Sequence, residues 1–498
     1  MQGFPNEACG LFGAYDFEGR SIASCIYWGM ISQNHRGHHS YGFLTSDGEF
    51  KLRTGIGLIP NGGKRFIQEL QQLSGNIGIG HVRYVTSGEI GSSLSEAAQP
   101  FIDEYKGSKI AIGYNGNLAN KVKLSKSIEE KFGTLSTSSD TELLSKKLLE
   151  GLENGDLPSA VRLCMKDIEG SFSVVGVDND GRMFAFRDPH GIKPLCFGQD
   201  KDGKLSCVSS ESVGLSINGL QLDSHVKPGE LLIWSEDGLS KEQIVAGEKK
   251  AFCSFEYAYF ARPDSILDGK TVYKVREEFG RNLGRENPDV TEKADMIVSI
   301  PQTADDAAYG FHIETGLPWE RSVRKHRYVT SRAFISSPRE RDKIINKKIN
   351  VSRREIKGKR LAVIDDSIVR GSTSKRMIRK MREAGGEEIH LYITFPRITS
   401  PCFYGIDMST YGELIGANQG ADEIAETIGA DSVNYQSLEN FIKATGMKRD
   451  HLCLGCITEK YPTPLASKLA NKARERFEEG SEGRERIYEA ADLAEEIT

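Results

Sequence analysis

Cys9 stands before a glycine and a short apolar run, CGLFGAY. Alone, such a cysteine reads as a small buried hydrophobe. It becomes a nucleophile only in suitable company, and polar company follows in HRGHHSYG (35–42), GHVRYVTSG (80–88), YNGNLAN (114–120), SSDTELL (138–144), RDPHGIKPL (187–195) and SSES (209–212). Splitting an amide needs a nucleophile, a base and donors for the oxyanion. The Cys9 thiol would supply the first. Were Cys9 the first residue of a chain, its own free α-amino group, which titrates near ~8, could supply the second. A peptide nitrogen cannot act this way, so the uncleaved chain is expected to be inactive. The adjacent His38 and His39 lack a third spaced ligand and do not make a metal site.

A second kind of chemistry lies in LAVIDDSIVRGST (361–373). An apolar strand delivers two adjacent carboxylates, Asp365 and Asp366, and a loop of small residues then opens a helix. Loop N–H groups at a helix start suit a phosphate dianion, and the carboxylates suit ribose hydroxyls. Four further cysteines, Cys253, Cys402, Cys453 and Cys456, sit in CSFEY, PCFYG and CLGC. The C-x-x-C pair by itself is a redox pair, a zinc half-site or chance. Cys25, Cys164, Cys196 and Cys207 have no such context and are expected in the core.

These residues need elements to hold them. Residues 9–240 read as short strands with tight turns, including a hairpin over 171–186, with helices such as 141–153 interspersed. That predicts layered antiparallel sheets with helices outside. From about 290 the pattern changes to strand, loop, helix: strands at 294–300, 360–366 and 387–395, and helices ending at Gly316 and in the glycines at 385–386. Such repetition predicts a parallel α/β sheet. The last 35 or so residues read as an exposed helix.

The chain has 498 residues and a formal charge of −5, so nothing in the bulk pulls it toward nucleic acid. No apolar run reaches the ~20 residues of a membrane span, and MQGFPNEA lacks the features of a secretory signal. A cytoplasmic protein is expected. Residues 321–360 hold 15 Lys or Arg against 3 Asp or Glu. Without interleaved aromatics, a basic loop that closes over an anionic substrate is the better reading than nucleic-acid binding.

The six N-terminal segments, in this order, resemble the N-terminal-nucleophile glutaminase domain shared by amidophosphoribosyltransferases and glucosamine-6-phosphate synthases. The resemblance implies an αββα sandwich, with Asn115 (side chain) and Gly116 (N–H) as the oxyanion hole. It implies Arg83, Thr86 and Asp140 as the glutamine site. LAVIDDSIVRGST resembles the 5-phosphoribosyl-1-pyrophosphate (PRPP) motif of type I phosphoribosyltransferases, and disfavours the glucosamine branch. CSFEYAYFARPDS (253–265), RYVTSRAFI (327–335) and PCFYGID (401–407) extend the likeness to the amidophosphoribosyltransferase family over nearly the whole chain.

The implied organisation is a propeptide (1–8), a glutaminase domain (9–240), a phosphoribosyltransferase domain (250–460) and a helical tail (461–498). The implied PRPP site is Asp365, Asp366, Ser367, Val369, Arg370, Gly371, Ser372 and Thr373, with Thr303 of SIPQT and Arg332 of the basic loop. Mg²⁺ would sit at Thr303, Asp365 and Asp366. In iron–sulfur members, cysteines in the contexts of Cys253, Cys402, Cys453 and Cys456 hold a [4Fe–4S] cluster, with zinc the chemical rival. The implied reaction joins ammonia from glutamine to C1 of PRPP, giving 5-phosphoribosylamine, glutamate and pyrophosphate, the first step of purine synthesis. Purine nucleotide inhibition and a homotetramer follow from the same likeness.

The chain departs from the family pattern at His38, His39, Val82, Tyr114 and Gln302. The departures at His38, His39 and Val82 keep a diverged, ammonia-dependent phosphoribosyltransferase in view; a PRPP-sensing regulator is a second alternative, because phosphoribosyltransferase folds are also used that way. An intact Cys9, Arg83, Asn115 and Asp140 argues against the sensor, which has no use for a glutaminase.

Overall fold

Alternation along Ser108–Leu118 sets the architecture of the first half. Ile110, Ile112, Tyr114 and Leu118 turn one way and pack on Leu144, Leu148 and Val161 from the helices Asp140–Leu152 and Leu157–Asp167. Ala111 turns the other way and meets Leu11, Ile79, Val175 and Trp234. A period of two is what a strand between two layers requires. We describe the protein from a computed structural model over residues 9–84, 98–137, 139–246, 249–326 and 349–482.

The two antiparallel sheets have seven and six strands. In the first, Gly10–Asp16 lies between Leu205–Ser209 and Ile77–Arg83. In the second, Ser108–Leu118 pairs with Phe101–Tyr105 and Gly170–Asp178, and the expected hairpin joins Gly170–Asp178 to Met183–Arg187. The apolar layer of Leu11, Val175, Val208 and Trp234 fills the space between the sheets. The helix Ala23–Ser32 covers the outer face of the first sheet through Ile26 and Met30, and helices Asp140–Leu152 and Leu157–Asp167 cover the second. This is the αββα order.

The second half carries a four-stranded sheet, Met296–Ser299, Arg360–Asp365, Glu388–Ile393 and Ser432–Tyr435, paired in parallel throughout. Helix Asp305–Thr315 ends at Gly316, whose φ of 74° is the left-handed conformation that glycine adopts without penalty. Asp365 falls at the carboxyl end of its strand, and helix Ser372–Glu383 starts seven residues on. Loops at that edge of a parallel sheet are where ligands bind.

The halves are packed together. Asn117 Nδ2 donates to Phe403 O at 3.0 Å, and Ser171 Oγ donates to Tyr404 O at 2.9 Å. Two expectations are corrected. Helix Pro464–Glu478 is not simply exposed: Leu465, Ala466, Leu469, Ala470 and Ala473 are buried in the largest core of the second half. Their spacing of three and four makes one apolar stripe, and each leucine so buried stabilises the fold by roughly 1.5–3 kcal/mol. Cys164, Cys196 and Cys207 are core residues, but Cys25 is only half-buried, its sulfur 3.7 Å from that of Cys207. Residues 1–8, Thr86, Arg332 and most of the basic segment lie outside the described residues.

Candidate active sites

Cys9 precedes the strand Gly10–Asp16, where Gly10 stands opposite Val82, so the cysteine comes to the end of the strand that carries Arg83. Its thiol lies 3.7 Å from Tyr84 O. Burial pushes the thiol above its ordinary pKa; the Tyr84 carbonyl contact and the charges of Arg83, Lys193 and Arg36 pull it back. A thiol held up in this way needs a base to become a nucleophile. Arg83 is buried, which lowers its pKa, and Cys9 and Asp140 oppose that shift. The structure therefore brings Cys9, Arg83 and Asp140 together.

Ser139, not Asp140, caps the helix, its Oγ accepting from Thr141 N at 3.3 Å. Asp140 is left to accept from Leu118 N at 3.1 Å and to pair with Lys121 at 3.1 Å. This ties it to the end of the strand that carries Asn115 and Gly116. Asn115 is 1% exposed, and its Nδ2 has no hydrogen-bond partner among the described residues. A buried, unused amide donor is what an oxyanion hole offers. Gly116 has no room for a side chain: an added Cβ would lie 1.9 Å from Ser171 O.

Sequence reasoning missed a buried ionic network behind Cys9. Arg36 Nε donates to Cys9 O at 3.1 Å. Its other nitrogens donate to Glu211 at 2.6 Å and to Glu256 at 2.7 and 3.0 Å. All three side chains are fully buried. Burial alone would lower the Arg36 pKa, but Glu256 and Glu211 outweigh it and hold it above the ordinary value. Glu211 also accepts from Ser265 Oγ at 2.6 Å and Arg262 N at 2.9 Å. The HRG, SSES and CSFEY segments contained all three residues; only their pairing across about 220 positions was invisible.

At the parallel sheet, Asp366 N donates to Asp365 Oδ1 at 2.9 Å and Ser367 Oγ donates to Asp366 Oδ1 at 2.7 Å. Burial raises Asp365 well above the carboxylate range, and Asp366 adds to that. Burial lifts Asp366 to about 6, against the pull of Ser367, Arg276 and Thr303. Thr303 is thus brought to the acidic pair. Two buried acids with raised pKa and a neighbouring hydroxyl make a donor set that fits a hard divalent cation. Gly371, at φ 72°, caps helix Ser372–Glu383, with Val369 buried and Ser372 and Thr373 in the first turn. The guanidinium of Arg370 is turned instead to Glu413 and Asp407. Arg276, also unforeseen, donates to the carbonyls of Tyr257, Tyr259 and Ala261 at 2.8–3.2 Å, and its charge acts on Asp306 and Asp366.

The four cysteines of the second half are free thiols, three buried and Cys453 half-buried. Cys253 and Cys453 are paired positions of two short parallel strands. Cys456 O accepts from Thr399 and Ser400 N at 2.9 and 3.2 Å, which draws in the loop carrying Cys402. Burial pushes Cys253 up to about 12, and it raises Cys453 and Cys456 too. Cys456 feels the charge of the other three. Among the described residues, no three His, Cys, Asp or Glu side chains are gathered closely enough to hold one metal ion.

A family profile described as a glutamine amidotransferase domain matches residues 86–216. An amidophosphoribosyltransferase of Methanocaldococcus jannaschii is 39% identical over 474 residues, 92% of this chain and 98% of the relative. The chain belongs to the amidophosphoribosyltransferase family. The relative from Bacillus subtilis is 36% identical over 472 residues, 92% of this chain and 95% of its own. A solved B. subtilis structure, glutamine PRPP amidotransferase complexed with ADP and GMP, matches with a TM-score of 0.83 at 34% identity, covering 92% of this chain and 98% of that one. The chain is thus an enzyme, a glutamine amidotransferase and pentosyltransferase of the first step of purine biosynthesis. Among the described residues no helix is long and apolar enough to cross a membrane.

Proposed function

We propose that Cys9, freed by loss of residues 1–8, attacks the carboxamide of glutamine, with its α-amino group taking the thiol proton. The observation that carries this reading is that Cys9 and Asp140 both act on the charge of Arg83, with Asp140 tied to the end of the strand that carries the buried, unused amide of Asn115. Asn115 Nδ2 and Gly116 N–H stabilise the oxyanion. Arg83 receives the α-carboxylate in its planar fork and Asp140 the α-ammonium, and Thr86 is the third residue assigned to glutamine. The Cys9 α-amino group then gives its proton to the leaving nitrogen as the C–N bond breaks, water hydrolyses the resulting thioester to glutamate, and ammonia passes through the packed join between the halves, where exclusion of proton-exchanging solvent keeps it neutral.

In the second site the loop Ser367–Thr373 receives the PRPP phosphate and ribose, and ammonia displaces pyrophosphate from C1. Asp365, Asp366 and Thr303 would hold Mg²⁺, whose part is to neutralise the leaving pyrophosphate. Ser367 orients Asp366 through its 2.7 Å hydrogen bond, and Arg276 tempers the acidic charge. Arg332, in the basic segment, is assigned to pyrophosphate. The assembly reading is a cytoplasmic homotetramer inhibited by purine nucleotides, a binding class supported by the ADP and GMP in the B. subtilis relative.

Cys253, Cys402, Cys453 and Cys456 would hold a [4Fe–4S] cluster: their thiols, three buried and Cys453 half-buried, lie in one another's field, and four thiolates are the number such a cluster needs. The decisive test is Cys9→Ala. It is expected to abolish 5-phosphoribosylamine formation from glutamine and to spare formation from ammonia. Full glutamine-dependent activity in that variant would overturn the scheme.

A further inference from the structure

Lys193 is among the largest fully buried side chains of the protein, at 0% exposure. Its ammonium has no hydrogen-bond partner among the described residues. An unpaired buried cation is costly, and an anion close by offsets that cost. The backbone shows where the side chain runs. Ile192 O, one residue before, accepts from Cys253 N at 3.1 Å. Lys193 O is held by Ser173 Oγ at 3.1 Å, which fixes the base of the side chain. Its Cε lies 3.5 Å from the Cβ position of Gly405, in the loop that begins with Cys402. The side chain therefore runs between the strand of Cys253 and the loop of Cys402. Its positive charge acts on Cys253 and Cys453 and also reaches Cys9.

We propose that Lys193 is the built-in counter-cation of the four-cysteine centre, a positioning residue that offsets the net negative charge of four thiolates around an iron–sulfur core. This rests on the cluster reading given above. Four thiolates outweigh the positive charge of such a core, and reduction adds one more negative charge. A fixed ammonium beside the centre therefore favours the reduced form and holds the reduction potential up. Cys9 is the competing beneficiary, since the same charge reaches it; the two roles make different demands on experiment.

The test uses full-length protein purified without oxygen. Iron and sulfide content and the reduction potential, by voltammetry, are compared for wild type, Lys193→Met, Lys193→Gln and Lys193→Arg. The neutral variants are expected to hold the cluster at a more negative potential, or to come out depleted in iron, while Lys193→Arg stays near wild type. Should Lys193→Met fail to fold, Lys193→Gln gives the same comparison. Iron-loaded neutral variants with an unchanged potential overturn the counter-cation role, as does equal iron loss in Lys193→Arg, which would make the effect one of packing. A change in glutamine hydrolysis with the potential unmoved assigns Lys193 to Cys9 and likewise overturns it. Wild-type protein free of iron and sulfide sinks the cluster reading itself and is recognised before any variant is made.

Discussion

Replacing Glu256 by glutamine perturbs the joint between the two sites without emptying space. Arg36 donates to Glu256 at 2.7 and 3.0 Å and to Glu211 at 2.6 Å, all buried. Two carboxylates facing one guanidinium leave an excess negative charge, and partly exposed His35 hydrogen-bonds to Glu211 at 2.8 Å. Glu256→Gln removes the excess charge but gives up a charge-assisted pair, so its stability cost is set at about 1–3 kcal/mol. Arg36→Met strands two buried carboxylates and costs about 3–5 kcal/mol. Because Arg36 Nε holds Cys9 O at 3.1 Å, the nucleophile is expected to loosen. A displacement near 1 Å lowers a rate ~100-fold, so kcat/KM for glutamine hydrolysis should fall about 10- to 100-fold in Glu256→Gln. Phosphoribosylamine formation from free ammonia should stay within about twofold, since that route makes no demand on the positioning of Cys9. Arg276 there is held by main-chain carbonyls that the substitution leaves in place. The assay follows glutamate release from glutamine and pyrophosphate release with ammonia, alongside urea unfolding. Equal losses in both reactions, or a loss in neither, refute the reasoning.

Asn115→Ala should raise the glutaminase barrier by roughly 3–4 kcal/mol with little change in KM, read from steady-state glutamine hydrolysis. Gly116→Ala forces a methyl to within 1.9 Å of Ser171 O, so strand and oxyanion donor must shift; a stability loss of about 1–3 kcal/mol is expected in urea titration. Asp366 gives a pH signature. Its folded pKa is raised to about 6 from 3.8, so its contribution to the ligand-free protein's stability declines as pH rises through that window and is level above it. A bound cation favours the ionised form, so Mg²⁺-dependent PRPP binding should weaken about tenfold per pH unit below that pKa, with proton release seen by calorimetry in two buffers. Asp366→Asn should lower the affinity and flatten this slope.

What could be read from the sequence was whatever chemistry is local along the chain. Asp365 and Asp366 are adjacent, and a strand must deliver them to one edge; Asn115 and Gly116 are likewise consecutive on one strand. The buried stripe of Leu465, Leu469 and Ala473 was equally legible, since spacings of three and four are a helix's own signal, but a surplus of Glu and Arg outweighed it. Arg36 and Lys193 are another matter. A guanidinium in HRG and an ammonium in GIKPL look like ordinary polar residues until folding buries them, and burial is what turns a charge into a demand for a partner. Arg36 meets that demand with Glu211 and Glu256, brought from 175 and 220 positions away. No periodicity encodes such a meeting. Arg36 thereby binds the nucleophile's backbone to the half that receives its ammonia, and Gly405 presses against Gly116 from that same half. The two chemistries are local in sequence, and their coupling exists only in the buried charges between them.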